Sequence, residues 1–466
     1  MNNQRANKQF IVIGAGPGGI ASAINLAKRG YSSVIYDSLH EIVDVNEDSY
    51  PIGLNPRGMN TLKDIDEELL EAIATEPPVE SWNIYAGARK VANLKSGTTV
   101  GSTRSAVTYH LYRYAADKFS NLIEFKFSHK LIELNTNNKQ LTFQNTKTNG
   151  NIVVDGSQSR IIGADGVWSK VRRELERQHP TEFQSKKSPW NTSFRLLFSS
   201  EHPKTELNTH DHYIFSGVYV AVIRYDVNQW VFALQISSGH KNEKLLLSND
   251  NTESNRQLLK EYVQELIPAA VPMIPEVEYE RFFSRRSFTG AVVQVNKMNY
   301  KEWVILLGDA AHAVNPATGE GVNAALEDAL VIDKCAADNV DTLFSTFNER
   351  RIKDVTALTD YANFLLDGWS APTYEKAART AAVVALQLGN KYGLVRETWA
   401  DKSFGTSAKD YQPYSEMKAT WDKQTHFLLP ALRALTFVVC PLWRVRYAIA
   451  AVGLLGVLGT AALSFY

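Results

Sequence analysis

The stretch Gln9–Asp37, QFIVIGAGPGGIASAINLAKRGYSSVIYD, decides how this chain folds. Phe10 to Ile13 is a short apolar run of the kind a buried parallel strand requires. Gly14, Gly16 and Gly19 follow as G-x-G-x-x-G, with Pro17 and Gly18 inside the same turn. Ile20 to Lys28 reads as a helix ended by Gly30, and Ser33 to Tyr36 as a second strand closed by Asp37. The first glycine permits a tight turn, the second lets a pyrophosphate approach the backbone, and the third lets helix and strand pack closely. Phosphates at that turn meet the positive end of a helix. An acidic side chain about 20 residues on is placed to bind ribose hydroxyls, and Asp37 is that residue. Strand, glycines, helix, strand and acid together predict a dinucleotide site. They do not choose between FAD and NAD.

Working outward, the chain has 466 residues, enough for two or three domains. Lys plus Arg is 50 and Asp plus Glu is 50, so no basic surplus argues for a nucleic-acid partner. Cys335 and Cys440 form no C-x-x-C pair, which argues against a disulfide framework or a cysteine zinc site. The start, MNNQRANKQ, is polar and not a secretory signal. At the other end, Tyr447–Tyr466 carries no charge. As a helix such a twenty-mer spans about 30 Å, a hydrocarbon core. Arg444 and Arg446 precede it, with Trp443, Tyr447, Phe465 and Tyr466 at its ends. We read a membrane-associated tail with the catalytic body facing the cytoplasm; the alternative is a buried terminal helix.

Between these ends, Pro51, Gly53, Pro56 and Gly58 break regular structure, and a helix is expected from about Met59. Strands are expected within Ile84–Val100, a helix at Ser105–Phe119, and a small antiparallel meander from Leu131 to Ile162. Asn191–Ser237 is β-rich and aromatic, and Tyr279–Phe283 and Ala291–Val295 read as further strands. Leu343–Glu397 reads as mostly helical and Ala400–Glu416 as irregular. The expected class is α/β (α+β). A Rossmann-like cofactor domain (1–185 and 298–345) is interrupted by a β-sheet substrate domain (186–297), then followed by a helical region (346–425) and the hydrophobic tail (426–466).

Two further motifs bear on the cofactor. One is GADGVWSKVR, with Gly163, Asp165, Gly166, Ser169 and Arg172; the other is GDAAHAVNPATGEGVNAALEDA, with Gly308, Asp309, Pro316, Gly319, Gly321 and Asn323. With the N-terminal motif, they resemble the three fingerprints of the single-component FAD-dependent aromatic monooxygenases. NPRGMNTL around Arg57, TRSAVTYHL around Arg104, FNERRIKDVTALTDYAN and DYQPYSEMKATWDKQ narrow that resemblance to kynurenine 3-monooxygenases and their violacein-pathway relatives.

The resemblance implies FAD as cofactor, NADPH or NADH as co-substrate, O2, and a small aromatic substrate to be hydroxylated or epoxidised through a flavin C4a-hydroperoxide. It implies that Asp309 binds the ribityl chain, and that Gly53, Arg57, Arg104, Leu131, Asp165, Val322 and Asn323 join the FAD contacts. A C-terminal membrane anchor is also a feature of kynurenine 3-monooxygenase. No metal is implied, and no residue is singled out as catalytic.

Gly319 to Asn323, with Gly321 and Val322 between them, opens a helix, whose positive end stabilises the negative charge of reduced flavin near N1. Phe194, Phe198, Tyr213, Phe215, Tyr219 and Trp230 are candidate walls excluding water from the ring, or ordinary sheet core.

Departures from the pattern carry information. Glu320 stands where the family loop commonly has Gln; it alters the charge at the ring or points outward. The kynurenine enzymes hold their substrate's carboxylate with a strand arginine, but PVESWNIYAGARK offers Trp82 and Tyr85 there, with Arg89 nearby. A less polar, indole-like substrate fits better. His210-Asp211-His212 reads as a solvated turn rather than a metal pair, and His312 as a loop-packing residue. Arg285-Arg286 is either a solvated pair or a nicotinamide phosphate contact. Two alternatives to a monooxygenase remain open: a flavin oxidase or reductase acting on a lipid or isoprenoid, and a non-catalytic flavoprotein. A flavin halogenase is disfavoured by the absence of W-x-W-x-I-P.

Overall fold

The first strand, Gln9–Ile13, is flanked on both sides, which is why it reads as one continuous apolar run. It pairs in parallel with Ser32–Tyr36 on one edge and Ser159–Gly163 on the other. Ile123–Lys126 and Val304–Leu306 extend the parallel sheet, and the short Asn299–Tyr300 closes it antiparallel. The helix Pro17–Lys28 covers this sheet and packs against the later helix Gly321–Asp338, bringing chain ends three hundred residues apart into one core. The computed structural model describes residues 9–44, 49–86, 89–96, 99–215, 218–396, 399 and 412–442.

A second six-stranded sheet runs in the order Thr192–Phe198, Gln229–Ser237, Val218–Arg224, Asp211–Phe215, Ser81–Ala86 and Arg89–Lys95. Its last two strands come from the segment that sequence assigned to the cofactor domain. Ser81–Ala86 joins in parallel alongside Asp211–Phe215, a pairing across about 130 residues that no local pattern reveals. A three-stranded meander (His129–Asn135, Gln140–Asn145, Asn151–Asp155) matches the expected one. Between the two large sheets lies a ribbon of Pro51–Leu54 paired with Val100–Thr103.

Three local expectations change. The helix expected from Met59 starts at Pro56, where Asn55 caps it by accepting from the Arg57 amide at 3.1 Å. Tyr279–Phe283 is not a strand: Glu276–Phe282 is a helix, with Pro275 at its N-cap and acids in its first turn. The segment read as irregular becomes helical at Tyr414, and that helix runs to Leu442 against Leu343–Ser370 and Thr373–Lys391. Arg433, the one charge in its apolar second half, pairs with Glu375 at 2.7 Å. Among the described residues no helix is long and apolar enough to cross a membrane. The expected tail Tyr447–Tyr466 lies outside the described residues.

Candidate functional site

The glycines of the first motif divide the work by steric necessity. Gly14 has φ +107°, and a Cβ there would lie 2.3 Å from the Ala164 carbonyl oxygen of the middle motif. A Cβ on Gly19 would meet the Gly14 carbonyl oxygen at 2.2 Å. Gly18 presses on Ala325 and Leu307, so it seats the third motif. Gly16 differs: its nearest neighbour on the Cβ side is the Arg104 guanidinium, at 3.9 Å. Gly16 also heads the helix that starts at Pro17, with no side chain capping its amides. A cradle of bare helix-start amides facing an arginine fits a pyrophosphate.

Asp37 braces that cradle. Its Oδ2 accepts from the Ala15 amide at 2.7 Å and its Oδ1 from the Leu39 amide at 2.8 Å. Arg104, the first residue of helix Arg104–Lys118, is exposed and lies in the field of Tyr50, Asp309 and Asp37. The Tyr50 phenol and then the two carboxylates raise its pKa above the ordinary arginine value. Asp309, also exposed, opens the short helix Asp309–His312 after Gly308 at φ +55°. Acid, guanidinium and acid from three distant segments therefore lie within one another's electrostatic field.

The middle motif locks this arrangement. Asp165 Oδ2 accepts from the Lys170 and Val171 amides at 2.6 and 3.1 Å, capping the helix Lys170–Gln178. Its Oδ1 is buried without a partner among the described residues, and burial raises the pKa of the carboxyl. Arg172 donates to the Ala310 and Val167 carbonyls at 2.7 and 2.8 Å, tying the middle motif to Asp309's helix. Leu131 is a core residue opposite Phe143, which stacks on Tyr36 at 4.2 Å and so sits beside Asp37.

The third motif turns inward. Gly319 adopts φ +66° and Glu320 sits at the N-cap of the helix Gly321–Asp338. Val322 is half-exposed. The Asn323 side chain is spent on the fold: it donates to the Gly53 and Gly319 carbonyls at 2.9 Å each and accepts from the Asn55 amide at 3.1 Å. Only its backbone remains for a ligand. Glu320 does not point outward. It is 1% exposed, and its Oε2 accepts from Asn55 Nδ2 at 3.0 Å and from the Tyr414 hydroxyl at 2.8 Å.

Arg57 belongs to the same buried cluster. Its guanidinium donates to Glu327 and to the Gln412 carbonyl at 2.7 Å each, and lies 3.7 Å from the Tyr414 ring centre. Burial opposes its charge, but Tyr414, Glu327 and Glu320 more than restore it. Arg351 continues the chain to Glu327 at 2.7 Å and Asp328 at 2.9 Å. Asp328 in turn holds His312 Nε2 at 2.6 Å and the Gly308 amide at 2.8 Å. His312 is thus a packing residue, as read. The network runs from the C-terminal helix to both turns of the third motif.

The aromatic sheet has two faces, and strand parity sorts the candidate walls between them. Tyr213, Phe215 and Trp230 face a core roofed by the helices Glu253–Leu266 and Glu276–Phe282. Tyr219 and Phe198 lie on the opposite face with Tyr50 and Phe288, and Phe194 shares their parity. That second face meets the ribbon. His212, read as part of a solvated turn, is buried on it within the strand Asp211–Phe215. Of the arginine pair, Arg285 is bound to Glu278 at 2.7 Å while Arg286 is exposed.

Residues 7–337 match the model of the FAD binding domain family. The chain belongs to that family. It is similar to kynurenine 3-monooxygenase of Flavobacterium psychrophilum, 25% identical over 375 residues, covering 77% of this chain and 80% of the relative. It is also similar to violacein synthase of Chromobacterium violaceum, 24% identical over 446 residues, covering 90% of this chain and 97% of that one. In fold it resembles 2-methyl-3-hydroxypyridine-5-carboxylic acid oxygenase, at a TM-score of 0.60 and 18% identity, over 78% of this chain and 92% of that one. The protein is a flavoprotein oxidoreductase of the FAD-dependent aromatic monooxygenase type.

Sequence alone singles out neither Tyr50 nor Tyr414, and reads His212 only as part of a solvated turn. Tyr50 precedes a broken segment, and the other two owe their positions to pairings with strands or helices far along the chain.

Proposed function

We propose that this protein uses NADPH or NADH and O2 to hydroxylate or epoxidise a small, weakly polar aromatic compound. The observation that carries it is the convergence of Gly16, Asp37 and Asp309 on Arg104, beside Tyr50, which packs with the ribbon-facing aromatics of the second sheet. The turn Gly14–Gly19, with Pro17 and Gly18, would hold the FAD pyrophosphate against Arg104. Asp37 would take the ribose, Asp309 the ribityl chain, and the backbone of Gly321, Val322 and Asn323 the pyrimidine edge. Gly53, Leu131 and Asp165 would complete the FAD contacts, while Arg57 supports the third-motif turn from behind through Glu327 and Tyr414. Bound flavin supplies the activation of oxygen. The protein's share is to orient the substrate ring and to exclude water, which Phe194, Phe198 and Tyr219 do as a hydrophobic wall.

Trp82 and Tyr85 occupy the strand where a carboxylate-binding arginine would be expected: Trp82 packs on His212 and Tyr85 stacks on Phe215. This arrangement supports a substrate without an amino-acid carboxylate.

The reading also includes membrane association through the C-terminus. Phe427, Phe437 and Val438 are 80%, 62% and 62% exposed on the last described helix, an apolar surface leading toward the uncharged terminal segment. Deleting residues 443–466 should move the protein from the membrane to the soluble fraction with FAD retained; loss of folding would place the segment in the core.

The decisive experiment purifies the protein, measures FAD stoichiometry, and screens aromatic compounds for stimulated NADPH oxidation with incorporation of labelled oxygen. Asp309→Ala should lose FAD. Full flavin retention in that variant, or oxidation of substrate without oxygen incorporation, would overturn the assignment.

A further inference from the structure

Two buried polar atoms that meet the ribbon at Gly101 have no partner among the described residues, one of them on a tyrosine whose ring packs with the helix-roofed core. They are His212 Nε2 and the Tyr225 hydroxyl. Leaving such an atom unpaired costs about 1–3 kcal/mol, so two of them together call for a common acceptor. They converge: a Cβ built on Gly101 would lie 3.9 Å from His212 Nε2 and 3.7 Å from the Tyr225 oxygen. Gly101 belongs to the ribbon and pairs with Gly53, whose carbonyl Asn323 holds at the start of the third-motif helix. The pair of atoms therefore sits one strand behind the loop assigned to the flavin's pyrimidine edge.

The donor character rests on assigning Tyr219 as the donor in its bond to His212. Tyr219 lies 2.9 Å from His212 Nδ1 and has no other hydrogen bond among the described residues. With Tyr219 donating to Nδ1, His212 carries its hydrogen on Nε2 and presents it toward Gly101. Burial keeps the ring uncharged by lowering its pKa to about 3. The Trp82 indole packs edge-on against the same imidazole at 4.7 Å. No arginine or lysine among the described residues perturbs His212, Tyr219 or Tyr225. Two neutral donors among aromatic walls, with no cation, recognise a neutral oxygen acceptor rather than a carboxylate.

We propose that His212 Nε2–H and the Tyr225 hydroxyl form the substrate-positioning site of this enzyme and select an uncharged aromatic bearing a ring carbonyl or equivalent acceptor oxygen. The proposal rests on the monooxygenase reading and adds the substrate class to it. Tyr219 acts through His212 by fixing its tautomer.

The test uses FAD-bound protein titrated with 2-quinolone and with quinoline, followed by the flavin difference spectrum. Two hydrogen bonds to the ring oxygen make 2-quinolone the tighter ligand by about tenfold or more. Tyr225→Phe and His212→Phe should each reduce that preference, and together remove it. Gly101→Ala provides an independent arm. Its methyl makes only ordinary contacts and covers both donors, so the protein should fold, hold FAD, and bind the two probes alike. Because the Tyr225 hydroxyl has no partner among the described residues, Tyr225→Phe should not lower the melting temperature. A wild-type protein that shows no preference, or variants that keep it, would overturn the proposal and leave the two atoms to bound water. A protein that takes up no FAD at all would sink the monooxygenase reading and this proposal with it; normal FAD content with unchanged probe selectivity would sink only the latter.

Discussion

Arg351→Met is the sharpest test of the buried network behind the cofactor loops. Arg351 is 1% exposed and divides its guanidinium between Glu327 at 2.7 Å and Asp328 at 2.9 Å, with Asp354 at 3.8 Å. Methionine fills similar volume but leaves two buried carboxylates short of a partner. Removing one member of a buried ion pair costs about 3–5 kcal/mol. Here Glu327 keeps Arg57, and Asp328 keeps His312 and the Gly308 amide, so the lower end, about 3 kcal/mol, applies. At about 2–4 °C per kcal/mol for a unit of some 150–250 residues, the melting temperature should fall by about 6–12 °C.

The pH dependence supplies the sign. Burial pushes the Asp328 pKa up, yet His312 and Arg351 bring it below the ordinary carboxylate value, so wild type loses this contribution only in strong acid. Without Arg351 the folded-state pKa rises, and protonation relieves the uncompensated charge. The deficit should therefore be largest near neutrality and shrink on acidification. Thermal melts of wild type, Arg351→Met and Arg351→Lys across that range measure it. A methionine variant within about 1 kcal/mol of wild type at neutral pH, or a deficit that grows in acid, would refute the reasoning.

Three further outcomes are expected. Gly16→Ala should fold and lose FAD, because its Cβ meets only Arg104 at 3.9 Å, whereas Gly19→Ala should reduce folded yield through its 2.2 Å collision; flavin absorbance and soluble yield separate the two. Tyr414→Phe removes a hydrogen bond from the buried Glu320 carboxylate and should cost about 1.5–3 kcal/mol, read as a lower urea midpoint; an unchanged midpoint would mean that Glu320 does not depend on that hydroxyl. His212, whose pKa falls to about 3 through burial, is uncharged in the fold but charges in the unfolded chain below its ordinary value near 6.5. Its contribution is therefore intact above that ordinary value and is lost as pH falls toward 3; a His212→Phe protein should show a flatter acid profile, and an equally steep one would contradict the assignment.

What was legible in the sequence was whatever depends on neighbours along the chain. The glycine turn, its flanking strands and helix, and the order of the three motifs all follow from local backbone freedom and hydrophobic periodicity. Glu320 was recognisable as a departure, yet its direction was not: its partners are Asn55 and Tyr414, one about 265 residues before it and the other 94 after. Tyr213 and Tyr219 look alike in sequence, but strand parity and the covering helices put one in the core and the other against the cofactor side.

By itself, then, the amino-acid order determined the glycine turn Gly14–Gly19 between strand and helix and pointed, through three motifs, to FAD. Only the tertiary structure decided which aromatics share the ribbon-facing side, that Arg57 and Glu320 are bound in a buried charge network, and that His212 is buried instead of a surface residue. Local torsional preference is written in adjacent residues, whereas burial and charge balance depend on packing between segments that the sequence separates by hundreds of positions.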